Sequence, residues 1–144
     1  MEQLLRTLLQ IPEAAEAADA LEEGRYPVAI TGLAAIHRAQ LAAALAWKER
    51  KIPVVLCSDE GEAARMAADL HALTGMEPLT LLPRELHRSS GAVTSRQWEH
   101  RRIAALYQLA SGSRLPLVAT VEAMLQKTCP PDVMRGAALT LRVG

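Results

Sequence analysis

The sequence predicts an α/β fold, a three-layer parallel sheet of four or five strands, and three observations point there. Short apolar runs recur at Val28–Thr31, Pro53–Cys57, Leu79–Leu82 and Leu115–Ala119. The stretches between them carry apolar residues at helical spacing and are long enough for parallel crossovers. Pro53–Cys57 is apolar throughout, as suits a strand buried on both faces of a parallel sheet. At 144 residues, half of them apolar, the chain is about one domain long and can bury a sizeable core.

Lys plus Arg equals Asp plus Glu at 16 each, so no overall field draws in nucleic acid, although a local basic patch remains compatible with neutrality. The longest charge-free run is well short of a membrane span, and Glu2 and Arg6 interrupt any cleavable apolar leader. The expected location is the cytoplasm, with no membrane partner. Cys57 and Cys129 form neither a C-x-x-C pair nor a framework and read as buried free thiols. His37, His71, His87 and His100 share no ligand spacing, so no metal site is expected. With no Phe, two Trp and two Tyr, the chain also lacks the rings of a base-stacking single-strand binder.

The elements follow in order. Leu4, Leu5, Leu8 and Leu9 stripe a first short helix. Pro12 opens a second that runs to about Glu23, packs through Ala14, Ala17, Ala18 and Leu21, and ends at Gly24. Val28–Thr31 then reads as a strand, Gly32 as a turn, and the Ala/Leu run to Leu45 as a helix with Ala34, Leu41 and Leu45 on one side. Trp47 and Lys48–Lys51 close it as a solvated, dipole-matched helix end. After the Pro53–Cys57 strand, Asp59 and Glu62 form a capping box; strand-end acids can serve magnesium, but a cap explains them without a partner. Ala63, Met66, Ala67, Leu70 and Leu73 turn inward before Gly75 stops that helix. Leu79–Leu82 is a third strand and Pro83–Thr94 a surface loop. A helix over Ser95–Ala110 buries Ile103, Leu106, Tyr107 and Ala110, with Arg96, His100, Arg101 and Arg102 largely off that stripe. Leu115–Ala119 runs into a Thr120-capped helix to about Lys127, which Pro130-Pro131 terminates. Leu139–Gly144 reads as a last strand. The division is residues 1–24 as N-terminal covering helices, 25–135 as the α/β domain, and 136–144 as an exit strand toward a following domain.

A strand, a glycine turn and a helix N-terminus together are where α/β proteins place a phosphate loop, because the free N–H groups there suit an anion. A working loop also needs a Lys for the β/γ-phosphates and a Ser or Thr hydroxyl for magnesium. Here the loop is Thr31-Gly32-Leu33-Ala34-Ala35-Ile36. With Gly32 as first glycine, the Gly, Lys and hydroxyl positions hold His37, Arg38 and Ala39; with Gly32 as middle glycine, they hold Ala34, Ala35 and Ile36. Neither register supplies nucleotide chemistry, and most single-glycine units of this kind never bound nucleotide.

The order of pieces resembles the N-terminal region of bacterial transcription-repair coupling factor (Mfd). The resemblance rests on Ile30-Thr31-Gly32-Leu33, on Cys57-Ser58-Asp59-Glu60, and on Pro83-Arg84-Glu85-Leu86, one residue tighter than the family's Pro-x-Arg-Glu-Leu. The stronger matches are Ser95–Tyr107, Leu117–Lys127 and Cys129-Pro130. The resemblance implies an ATP-driven translocase that removes stalled RNA polymerase from DNA and recruits UvrA. It implies an N-terminal module with the P-loop-NTPase, helicase-like fold of UvrB but without the ATPase residues. It selects the register with Ala35 and Ile36 at the Lys and hydroxyl positions. Residues 83–97 hold no Tyr or Phe for the aromatic hairpin of UvrB, and no Asp-Glu box follows Ile30. In the family, the segment after a match to Leu141-Arg142-Val143-Gly144 leads into the domain expected to contact UvrA, so the chain reads as a fragment.

Three functions follow as expectations. The first is a non-catalytic scaffold and interaction domain with no cofactor, its partners being the parent's other domains, UvrA through the following domain, and DNA and RNA polymerase through the parent. The second is half of an ATP-driven helicase, against which the missing Lys and hydroxyl weigh. The third is nucleic-acid or partner contact through Arg84, Arg88, Arg96, Arg101 and Arg102, although Arg beside Glu85 and Glu99 is more often a solvated face.

Overall fold

The computed structural model describes residues 2–84 and 96–139. Three runs of β-branched and apolar residues form its sheet: β1 (Val54–Cys57), β2 (Leu79–Leu81) and β3 (Leu117–Thr120). All pair in parallel in the order β1-β3-β2, with Leu117 between Val54 and Leu79 and Ala119 between Leu56 and Leu81. Every residue of β3 is buried, as a central strand with helices on both faces must be.

The helices form two layers. Helix α1 (Glu2–Leu8), helix α3 (Ala35–Glu49) and helix α4 (Glu60–Thr74) lie on one face, where Leu5, Ala39, Ala43, Ala44, Met66 and Leu70 pack with Cys57 and Val118. Helix α5 (Arg96–Ala110) and helix α6 (Val121–Leu125) lie on the other, where Leu106, Leu109 and Ala123 pack on Leu79, Leu81, Leu117 and Ala119. Helix α2 (Pro12–Glu22) leans on α3, and its Asp19 and Glu22 carboxylates receive Lys48 Nζ at 3.2 and 3.3 Å. The helix ends follow local chemistry: Asp59 accepts the Glu62 N–H at 2.8 Å, Thr120 accepts the Ala123 N–H at 3.1 Å, and Gly75 closes α4 at φ 72°.

Several expectations are corrected. Among the described residues the sheet has three strands, not four or five. Val28–Thr31 is not a strand; it runs without regular structure, Val28 and Ile30 are exposed, and none of its backbone groups is hydrogen-bonded among the described residues. The apolar run specifies an extended, half-buried preference, but a strand forms only where a ladder partner lies alongside, and among the described residues none pairs with it. Leu139 is also outside any strand, and residues 140–144 lie outside the described residues, as do residues 85–95 of the expected loop.

The stripe on α5 is shifted by one position. Arg102 and Ala105 are buried and Leu106 and Leu109 half-buried, while Ile103 and Tyr107 face outward. On α3 the buried positions are Ala39, Ala43 and Ala44, with Leu41 and Leu45 half-buried beside them and Ala34 exposed. Helix α6 ends at Leu125, and a further helix, α7 (Pro131–Gly136), opens where the Pro130-Pro131 pair was read only as a terminator. Pro131 suits the first turn because its missing N–H would be unpaired there. Arg135 donates to the Ala110 carbonyl and so ties α7 to the end of α5. Of the two thiols expected to be buried, Cys57 is and Cys129 is exposed.

Candidate functional site

The loop that raised the question of phosphate lies at the start of α3. Gly32 makes the turn at φ 80°, where a side chain would be strained even though a Cβ would meet nothing. Ala34 precedes the helix with no side-chain cap, so the first N–H groups of α3 receive no help from it. Ala35, Ile36, His37 and Arg38 are all exposed. The residues before Gly32 belong to no sheet, so the loop lacks the strand that would hold it rigidly against a ligand.

The charge in this region is already engaged. Arg38 Nη1 donates to Glu62 Oε1 of α4 at 2.6 Å. The second carboxylate oxygen of Glu62 accepts from the Ser58 N–H at 2.9 Å and lies 2.8 Å from the Ser58 hydroxyl. Asp59 Oδ1 accepts the Glu62 N–H at 2.8 Å, which completes a reciprocal box around the first turn of α4. The Ser58 N–H, the Ser58 hydroxyl and Arg38 hold the Glu62 carboxyl below its usual range, and the Glu62 N–H, then the Ser58 hydroxyl, do the same for Asp59. Burial, then the Glu62 charge, pushes the Cys57 thiol up, so it stays protonated and is a poor nucleophile. Among the described residues no three His, Cys, Asp or Glu side chains gather as metal ligands.

These shifts predict an acid limb of stability. Both carboxyls titrate lower in the folded chain than in the unfolded one, so their contribution is complete above the unfolded values of about 3.9 and 4.3 and is lost as pH falls through the folded values. Asp59→Ala should therefore lower the thermal midpoint at pH 7 and flatten its decline below about pH 4. A decline as steep as that of the parent chain would assign the acid limb to other carboxyls.

Because residues 25–31 stand off the sheet, a cleft of about 1020 Å³ opens between them, α2 and α3. Ile11, Ala14, Tyr26, Val28 and Ile30 make it mostly apolar, and His37 stands at its α3 side. Among the described residues no hydrogen bond joins His37 to the Tyr26 or Thr31 hydroxyl within it.

The five basic residues fare differently. Arg84 is exposed just past β2, Arg96 opens α5, Arg101 is exposed, and Arg88 lies outside the described residues. Arg102 is buried, and its guanidinium donates to Leu82 O at 2.5 Å and Ala123 O at 3.5 Å, tying α5 to the residue just past β2 and to α6. Burial, then the nearby Arg84 charge, lowers its pKa. Gln126 supports the same corner, accepting the Arg84 N–H at 2.7 Å and donating back to Arg84 O at 3.3 Å. Sequence reading missed this corner and the Arg38–Glu62 pair. Glu62 carried a signal as the third member of a capping box, whereas nothing local separates Arg102 from Arg101.

No protein-family model and no solved structure matches the chain. Over 90% of its length it is similar to the transcription-repair-coupling factor of Myxococcus xanthus, at 32% identity across 144 aligned residues. The chain spans 11% of the length of that relative. No helix among the described residues is long and apolar enough to cross a membrane.

Proposed function

We propose that the chain is a non-catalytic scaffold and interaction domain within a longer transcription-repair coupling factor, of the UvrB-like kind that its motifs resemble. The observation that carries this reading is a similarity over 90% of the chain to such a factor, in a chain whose phosphate-type loop has neither a Lys nor a hydroxyl at the positions that would bind phosphate and magnesium. The loop's exposed Ala35 and Ile36 offer neither a cation nor a metal ligand. Arg38, the cation of the other register, is bound to Glu62. ATP turnover, and contacts to UvrA, DNA and RNA polymerase, belong on this reading to other parts of the longer protein.

Calorimetry with Mg-ATP tests the reading. The expected dissociation constant is no better than roughly millimolar, about 4 kcal/mol of binding or less, with no hydrolysis. A micromolar, magnesium-dependent constant would support the alternative, half of an ATP-driven helicase, and sink the scaffold.

A further inference from the structure

The sheet leaves one strand half covered. Val55 and Cys57 of β1 point into the layer formed by α3 and α4. By alternation Val54 and Leu56 point to the opposite face, in the rows Val54-Leu117-Leu79 and Leu56-Ala119-Leu81. The last two members of each row are buried under α5 and α6. Val54 and Leu56 are 58% and 54% exposed. Among the described residues nothing pairs with the edge of β1 away from β3 either.

Natural edge strands are blunted by charge, by bulges or by being very short. β2, the other edge, has three residues and buries both its leucines. β1 reads Val-Val-Leu-Cys, with no charge and an unbroken register of four residues along β3. A strand of this composition, bare on one edge and one face, has the character of an interior strand.

Chain topology says which way the sheet extends. The connection β1-α4-β2 moves across β3 with its helix on the first face, and β2-α5-β3 returns with its helix on the second, as a single right-handed crossover rule requires. Helix α3 lies on the first face and leads into β1, so by the same rule a strand feeding α3 would stand on the open side of β1. The backbone of residues 26–33 is unbonded among the described residues too.

We propose that β1 is an interior seam: a parallel strand of the same longer polypeptide, from outside these 144 residues, pairs with its open edge, and the helix connected to that strand covers Val54 and Leu56. The proposal rests on the fragment reading above, under which most of the polypeptide lies outside these residues. The relative it matches is long enough to supply such a unit, since the chain spans 11% of it. An incoming strand would meet an edge of β1 whose backbone is unbonded among the described residues.

Thiol labelling tests it. In a Cys129→Ser background, Leu56→Cys should react with a maleimide as an exposed thiol in the 144-residue chain. In the uninterrupted parent protein it should react about tenfold or more slowly, and the Val54–Leu56 amides should gain comparable protection from exchange. Fast labelling in both proteins overturns the seam while leaving the coupling-factor reading intact. Slow labelling in the 144-residue chain overturns it too: protection that rises with concentration makes a second copy the cover, and concentration-independent protection makes it this chain's own segment. A parent reading frame with no downstream motor removes the coupling-factor reading before any labelling, and the seam with it.

Discussion

Replacing Leu70 by Ala is expected to lower the unfolding free energy by about 2–5 kcal/mol. Leu70 is fully buried in α4, in the core that joins α3, α4 and the middle of the sheet. Its neighbours in that core include Ala39, Ala43, Ala44 and Ala63, whose methyl groups cannot reach into the space it would leave. The site therefore collapses poorly, which places the cost toward the upper part of that range. Small domains have only about 5–15 kcal/mol in total, so the variant should be marginal at room temperature. Urea titration followed by circular dichroism measures it. Leu125→Ala, at an exposed position on α6, should change stability by less than about 0.5 kcal/mol and serves as the control. A loss below about 1 kcal/mol at Leu70 would mean that α3 and α4 slide together to fill the gap.

Arg102→Ala should cost about 1–3 kcal/mol for stranding buried acceptors, with lost packing of the aliphatic stem added to it. The guanidinium ends on Leu82 O, just past β2, and on Ala123 O in α6. Arg102→Met separates the two contributions, because it keeps the stem and removes the donors. Met should retain most of the loss if the carbonyl bonds dominate and recover most of it if the stem does. Stability equal to the parent chain in both variants would show that water replaces the guanidinium at no cost.

The comparison of Val28–Thr31 with Val54–Cys57 shows where sequence reading stops. Both are short apolar runs ahead of a helix, and only the second is a strand. What distinguishes them is a partner: β1 has β3 beside it, from more than fifty residues away in the sequence, and residues 28–31 have no paired strand among the described residues. Features governed by neighbouring residues were legible. Asp59, Thr120 and Gly75 all act at helix ends where their side chains or their lack of one predict, because a cap is satisfied within three or four residues.

The face of α5 was not legible, since Ile103, Leu106, Tyr107, Ala110 and Arg102, Ala105, Leu106, Leu109 are both spaced as helical stripes. The chain chose the one whose Arg finds two carbonyls, which is tertiary information. The same holds for the candidate site. The absence of Lys and of a hydroxyl from the two key positions of the loop could be read directly, but the capture of Arg38 by Glu62, 24 residues on, could not.

The position of β3 carries a consequence for biosynthesis. The last of the three strands in chain order is the one in the middle, and the two strands made before it touch each other nowhere in the sheet. A nascent chain that has emerged only as far as α5 holds β1 and β2 as separate apolar ribbons with no ladder to close. When residues 117–120 emerge, both ladders can form in one event on either side of a single strand. Closure of these two ladders therefore waits for residues 117–120, and until they are made the growing polypeptide must keep Val54–Cys57 and Leu79–Leu81 away from other sticky chains.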